Sequence, residues 1–243
     1  MPYEAGFARI YDRIISRQID FDGYCSFLLS LCADRGVNVR FALDIGCGSG
    51  IFTQQLVNRG IDTAAFDISE DMLSLAAQRL GGKCRLFCAD MTDFFFDEQF
   101  DAAFCTLDGL NHLSGAADLR RAVKCTAKCI KSGGVFVFDV NTPHKHKNAL
   151  GNNTFVFEDE DYYLVWQNFT SGTKTDMLID CFIEDESGWQ RYSEEFCERA
   201  YTDETLEKIL TANGFCNISR YDFETYGEVR KNSEKIIYIA TKG

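Results

Sequence analysis

The sequence contains no apolar run of membrane-spanning length, and residues 1–20 carry too many charges for a signal peptide. A cytoplasmic chain with no membrane partner is the expectation. Basic residues are also scarce, with 25 Lys and Arg against 37 Asp and Glu, for a formal net charge of −12. Phosphate-backbone binding needs concentrated Lys and Arg, so nucleic acid is excluded as a partner, and an anionic membrane surface with it. The acids are not spread evenly: residues 155–198 hold twelve of them against two bases. Such a surface is compatible with an amine-bearing small molecule, although acidic surfaces commonly serve solubility alone. Proline is limited to two residues, and neither a repeat nor a low-complexity tract is present. No cysteine pairs are set at zinc-finger spacing. The eleven cysteines are scattered and odd in number, and Cys125 and Cys129 stand i,i+4 on a predicted helix without a partner pair. No metal is expected.

What is present is an ordinary globular composition, 46% hydrophobic and 26% charged, in a chain of 243 residues. That length buries a good core and suits one domain with one insertion. Apolar spacing predicts helices over 7–19 and 22–34. Strand and helix then alternate: strand 40–45, helix 49–58, strand 62–67, helix 69–80 with Ser69 as its N-cap, and strands 84–88 and 101–106. A helix over 115–130 is expected to close at Ser132-Gly133-Gly134, before a strand at 135–139. This rhythm calls for a parallel sheet covered by helices.

After Asp139 the rhythm breaks. Residues 144–153 are polar and irregular, and runs 155–158, 162–169, 176–183 and 190–198 read as an antiparallel meander with turns at Ser171-Gly172 and Ser187-Gly188. A helix over 203–213 and strands 215–222 and 234–240 finish the chain.

The most specific stretch is Leu43-Asp44-Ile45-Gly46-Cys47-Gly48-Ser49-Gly50, followed by Phe66-Asp67. It reads as strand, glycine turn and helix start, then a second strand ending on an acid. A turn of this kind lets an adenosine-containing ligand approach the backbone, while the acid takes the ribose hydroxyls. The glycines follow G-x-G-x-G, whereas a dinucleotide fingerprint is G-x-G-x-x-G. The spacing favours S-adenosylmethionine (SAM) over NAD. Two rival classes are a noncatalytic SAM-binding or protein-interaction module and an NAD-dependent oxidoreductase.

Further motifs extend the pattern: Phe7-Ala8-x-x-Tyr11-Asp12, Ile68-Ser69-x-x-Met72-Leu73, Cys88-Ala89-Asp90-Met91, Leu107-Asp108-x-x-Asn111-His112, Gly133-Gly134-x-x-x-Phe138-Asp139 and Arg199-x-Tyr201-Thr202. In this order they resemble the class I SAM-dependent methyltransferases, especially the small-molecule branch that includes sugar-amine N-methyltransferases. The resemblance covers essentially the whole chain. It implies an α/β fold, a Rossmann-like class I methyltransferase sheet of seven strands with the last strand antiparallel between its neighbours, and an antiparallel β cap inserted after the fifth strand. Residues 1–143 and 199–243 would form the SAM-binding domain with an N-terminal helical lid. Residues 144–198 would form a substrate-binding cap.

Roles for individual residues follow from the same resemblance. Gly46, Cys47, Gly48 and Gly50 would cradle the methionine portion and sugar of SAM, Asp44 would attract its ammonium group, and Asp67 would accept from its ribose. Asp90 and Met91 would recognise adenine, with Ile68 and Met72 packed against the base or simply in the core. Leu107 would offer its carbonyl to the ammonium, and Tyr11 would close over the cofactor, with Tyr3 a second aromatic for that place. His112 is the candidate for proton removal or substrate orientation. Asp108 would attract an acceptor amine, Asn111 would orient substrate or shape its loop, and Trp166 would line the acceptor site or pack the insertion. Arg199 and Tyr201 would either contact substrate or stabilise the junction. The expected reaction is methyl transfer to nitrogen or oxygen of a small-molecule acceptor by a monomer or homodimer.

Overall fold

A computed structural model describes residues 5–159, 162–185 and 188–243; at residues 5–7, 9, 11, 13 and 185 it describes the main chain alone. Two helices, α1 (Ala5–Gln18) and α2 (Phe21–Asp34), precede the alternating segment. That segment runs β1 (Phe41–Ile45), α3 (Ile51–Asn58), β2 (Asp62–Asp67), α4 (Glu70–Leu80), β3 (Arg85–Cys88), β4 (Phe100–Cys105), α5 (Ala116–Cys129) and β5 (Ile130–Asn141). Four strands follow, β6 (Thr154–Asp159), β7 (Tyr162–Ser171), β8 (Lys174–Asp185) and β9 (Gly188–Arg199). The chain closes with α6 (Asp203–Ala212), β10 (Phe215–Asp222) and β11 (Lys235–Lys242). Helix starts are set by local side chains, since Asp20, Ser69 and Thr202 accept from Gly23, Met72 and Thr205 main-chain N–H groups.

The main sheet has the order β10-β11-β5-β4-β1-β2-β3, and β11 runs antiparallel to both of its neighbours. Side-chain alternation gives it two buried faces. Phe136 and Phe138 of β5, with Ile236 and Tyr238 of β11, join the core that α5 and α6 cover. Val135 and Val137, with Ile237 and Ile239, face the other way, toward Tyr24 and Leu28 of α2 and Phe52 and Leu56 of α3. Each such side chain contributes about 1.5–3 kcal/mol by leaving water. Strands buried on both faces explain the nearly continuous apolar runs in the sequence.

The four remaining strands form a separate antiparallel sheet, β6-β7-β8-β9, inserted between β5 and α6. Its strands are longer than the sequence pattern indicates, because β8 pairs along its whole length with β9 and from Lys174 to Ile183 with β7. Gly172, at φ +63°, makes the turn between β7 and β8. Ser187, expected in the next turn, lies outside the described residues. One face packs Leu164, Ile179 and Cys181 against Ile10 of α1. The same helix is tied to the main sheet side through Asp12, which accepts from Arg79 at 2.9 Å and from the Ser49 hydroxyl. Helix α1 therefore bridges the two sheets.

Two local expectations needed correction. β5 begins at Ile130 rather than 135, because a register shift opposite Phe100 to Ala102 takes Ser132-Gly133-Gly134 into the strand as an irregularity. The polar stretch after β5 contains a helical turn, Lys145–Leu150, anchored where Thr142 Oγ1 accepts from Lys145 N and Thr142 O accepts from His146 N. Among the described residues, no helix is long and apolar enough to cross a membrane.

Candidate active site

The carboxyl-terminal ends of β1, β2 and β4 open into a cavity of about 490 Å³. Its floor is the turn after β1. Gly48 and Gly50 hold φ values of +53° and +77°, which L side chains rarely adopt. A Cβ on Gly48 would meet nothing within 4 Å, so the main chain there faces open space. Gly50 is different: a Cβ would lie 3.1 Å from that of Ala76, so this glycine serves close packing of α3 on α4.

Asp67 ends β2 beside the turn. Its Oδ2 accepts from Gly48 N at 2.8 Å and its Oδ1 from Ser69 N at 2.9 Å. Each carboxylate oxygen has a further lone pair, so two vicinal hydroxyls can still be accepted. Burial raises the Asp67 carboxyl above its ordinary value, and the main-chain donors oppose that rise. Asp90, Met91, Thr92 and the exposed Ile68 line the same part of the cavity. Asp90 Oδ1 accepts from Thr92 N at 2.7 Å, fixing the turn after β3. Met72 lines the cavity while being almost wholly buried.

Asp44 lies beneath this floor at 1% exposure. Its Oδ2 accepts from Thr53 Oγ1 at 2.5 Å, and Oδ1 is buried with no partner. Burial, helped by repulsion from Asp67, pushes its carboxyl up to about 7 against the Thr53 bond. An orphaned buried oxygen is costly unless a donor or proton reaches it. An ammonium or an ordered water from the cavity would satisfy it. These features fit SAM: open main chain at Gly48, spare acceptor capacity on Asp67 and the unpartnered oxygen of Asp44.

The other wall comes from the loop after β4 and from β9. Leu107 and Asp108 are both left-handed, at φ +55°, and a one-turn helix Gly109–His112 follows. Asp139, fully buried at the end of β5, accepts from Leu107 N and Asp108 N, both at 2.7 Å, and from Tyr24 Oη at 2.6 Å. Lys235 Nζ lies 3.4 Å from Asp139 and donates to Asp108. Burial alone would raise the Asp108 carboxyl, but Lys235, Lys145 and His112 bring it well below the usual carboxylate range. His112 lines the cavity, with its ring 5.5 Å from that of Phe196 on β9. Asp108, His112 and Glu198 each bring one atom within 4.8 Å of the other two.

Several expected acceptor contacts sit elsewhere. Asn111 is fully buried; its Nδ2 donates to the carbonyls of Asn141 and Arg199, and its Oδ1 accepts from Asn141 N. With its amide used on main chain, it stitches β4, β5 and β9 together and does not reach the cavity. Trp166 belongs to the packing of the inserted sheet, T-shaped on Phe155 at 5.8 Å, and does not line the cavity. Tyr201 donates to Leu113 O at 2.9 Å and lines a different, smaller hollow. Arg199 accepts from Asn111 through its main chain, and its buried Nε has no partner. The Tyr201 bond and the Arg199 main chain belong to the junction, and neither residue lines the cavity. Asp108 is paired with Lys235, which also lies 3.4 Å from Asp139. The Tyr11 side chain and all of Tyr3 lie outside the described residues.

Sequence reasoning missed Lys235, Glu198, Lys145 and Phe196, and it quoted Asp139 in a motif without giving it a role. Asp139 had a signal, an acid closing the apolar run Val135–Phe138. Glu198 had none, being one acid among twelve in the meander.

Comparison with known proteins places this geometry in context. A family model described as "Methyltransferase domain" matches residues 42–134. The crystal structure of an S-adenosylmethionine-dependent methyltransferase from Clostridium acetobutylicum ATCC 824 superposes with a TM-score of 0.90 at 33% identity, covering 98% of each chain. YqeM of Bacillus subtilis (strain 168), a candidate methyltransferase by its name, is 29% identical over 244 residues, covering 98% of this chain and 96% of its own. A dTDP-3-amino-3,4,6-trideoxy-alpha-D-glucopyranose N,N-dimethyltransferase from Streptomyces venezuelae is 30% identical over 138 residues, 56% of this chain and 58% of its own.

Proposed function

Because this chain belongs to the class I SAM-dependent methyltransferases, we propose that it moves the methyl group of SAM onto nitrogen, or onto oxygen, of a small-molecule acceptor. The observation that carries this reading is one cavity with two chemically different walls. The turn residues Gly46–Ser49, Asp67 and Asp90 make the first, and His112 with Phe196 makes the second. In this reading residues 1–143 and 199–243 bind the cofactor, and residues 144–198 cap the acceptor.

Asp67 takes the ribose hydroxyls, Asp90 and the main chain of Met91 take adenine, and Ile68 and Met72 cover the base. Asp44, the Leu107 carbonyl and the main chain of Gly46, Cys47 and Gly48 receive the methionine end. When bound, SAM supplies an electrophilic methyl group on a sulfonium centre. The protein's task is then to hold a nucleophile in line and remove its proton. His112 is the residue for that proton. Nitrogen is the preferred acceptor atom, supported by the acid-rich inserted sheet and by the named reaction of the Streptomyces venezuelae relative.

Calorimetry of the purified protein with SAM and with NAD tests the cofactor, using Asp67→Ala as the control. Saturable SAM binding that weakens in the variant supports the reading, and a panel of small amines and alcohols then tests the acceptor. NAD binding in place of SAM would sink it. A protein that binds SAM but methylates nothing in a broad panel would favour a noncatalytic SAM-binding module.

A further inference from the structure

The hydrogen-bond pattern behind His112 assigns protons that the heavy atoms alone do not show. Thr170 Oγ1 lies 2.6 Å from the carbonyl oxygen of Gly151, which can only accept, so the Thr170 proton points there. The 2.9 Å bond between Thr170 and Thr175 hydroxyls must therefore be donated by Thr175. Thr175, its proton used, can only accept along its 2.8 Å contact with His146 Nδ1. His146 Nδ1 thus carries a hydrogen. In a neutral imidazole this leaves Nε2 as a bare lone pair, 3.5 Å from Glu198 Oε2 and with no hydrogen-bond donor. Two lone pairs would then face each other at 1% and 4% exposure, a repulsive arrangement in a low-dielectric site. A proton on Nε2 removes the conflict and makes His146 an imidazolium against the Glu198 carboxylate.

Glu198 is fixed from a second side. Its Oε2 accepts from Asn141 Nδ2 at 2.9 Å, and the Asn141 amide is oriented by Lys145 Nζ, 2.9 Å from its Oδ1. The charged groups around Glu198 are His146 and Lys145 from the helical turn, Asp108 and His112 from the loop after β4, and Lys235 from β11. His112 thus has Asp108 and Asp67 on its cofactor side, Asp108 sharing Lys235 with Asp139, and Glu198 is the carboxylate that β9 brings to it.

We propose that Glu198, held as a fixed anion by His146, is the positioning residue that orients the His112 ring and stabilises the charge His112 acquires on taking the acceptor's proton. This rests on the reading of the site as a methyltransferase centre. In the proton step, an N–H bond of the newly methylated nitrogen breaks and its electron pair stays on that nitrogen. The proton forms a new N–H bond on the neutral His112 ring, and the resulting imidazolium lies beside the Glu198 carboxylate.

The chain has only three histidines, so long-range 1H–15N correlation can resolve each ring, with single-histidine variants giving assignments. In the wild-type protein at pH 7, His146 is expected to show hydrogens on both ring nitrogens. In Glu198→Gln, an isosteric change, the Nε2 hydrogen of His146 should be lost and the ring nitrogen shifts of His112 should also move. Thermal melting and SAM calorimetry on the variant establish that it folds, and Glu198→Asp serves as the charge-preserving second variant. A neutral His146, whichever ring nitrogen carries its hydrogen, overturns the proposal, as does a change confined to His146. With any acceptor that the wild type methylates, Glu198→Gln should lower kcat about tenfold or more at unchanged KM for SAM. Its effect should vanish in a His112→Ala background, and full additivity of the two would overturn the link. If no acceptor is methylated, the proposed function fails while the spectroscopic arm still decides the Glu198 assignment.

Discussion

The carboxylate of Asp139 sits 2.7 Å from the main-chain nitrogen of Leu107, so the end of β5 fixes the loop that leaves β4. This bond explains how two consecutive non-glycine residues, Leu107 and Asp108, hold left-handed conformations that each cost on the order of 1–3 kcal/mol. Asp139→Asn replaces an acceptor-only group with one that turns N–H hydrogens toward existing donors. It should destabilise the protein by about 3 kcal/mol and weaken SAM binding, because the Leu107 carbonyl loses its direction. Chemical denaturation with SAM calorimetry checks both; a stable variant with native SAM affinity would refute the role.

In the proposed reading, Asp44 would link SAM binding to proton release. Burial lifts its carboxyl to about 7 in the folded protein, above the ordinary value of 3.8. The unfolded chain therefore loses this proton first. This group's contribution to stability should fall by about 1.4 kcal/mol per pH unit between about pH 4 and 7, and level off above that. Asp44→Asn should remove that slope. If the SAM ammonium engages the ionised form, binding at pH 7 should release about half a proton. Calorimetry in buffers of different ionisation enthalpy measures it, and binding without proton release contradicts the assignment.

Gly48 and Gly50 should separate binding from folding. Both are left-handed, so alanine costs about 1–2 kcal/mol of conformational strain at either site. Only at Gly50 does the added Cβ also crowd Ala76 and Leu80. Gly50→Ala should therefore lower the melting temperature more, and Gly48→Ala should weaken SAM binding more. Equal effects on both quantities would argue against a cofactor at Gly48.

Asn111→Ala tests the junction. Removing the amide leaves Asn141 N, Asn141 O and Arg199 O without the partners they now have. A loss of about 2–3 kcal/mol is expected, with SAM affinity nearly unchanged. Intact stability combined with a raised acceptor KM would restore Asn111 to the substrate site.

The half of the site assigned to the cofactor was legible because its determinants are local. A strand, a glycine turn and an acid ending the next strand are written in consecutive residues, and their backbone demands select residue types directly. Gly46 to Gly50 and Asp67 could be read this way, as could the alternating elements and the inserted meander, whereas Asp90 came from the family resemblance. The half assigned to the acceptor was read only in part. His112 follows a strand end and was visible, whereas Trp166, Asn111 and Tyr201 carried suitable chemistry and were drawn into packing or main-chain bonding instead.

Sequence alone therefore determined the strand and helix rhythm and the residues of the glycine turn, since φ/ψ preference and side-chain periodicity act over a few residues. Tertiary structure decided which charged groups meet. Lys235 reaches Asp108 across 127 residues, and Glu198 meets His112 and His146 only because β9 returns beside the loop after β4. Hydrogen bonding and Coulomb attraction depend on distance in space, and a polar residue in a meander looks the same in sequence whether it faces solvent or a buried partner.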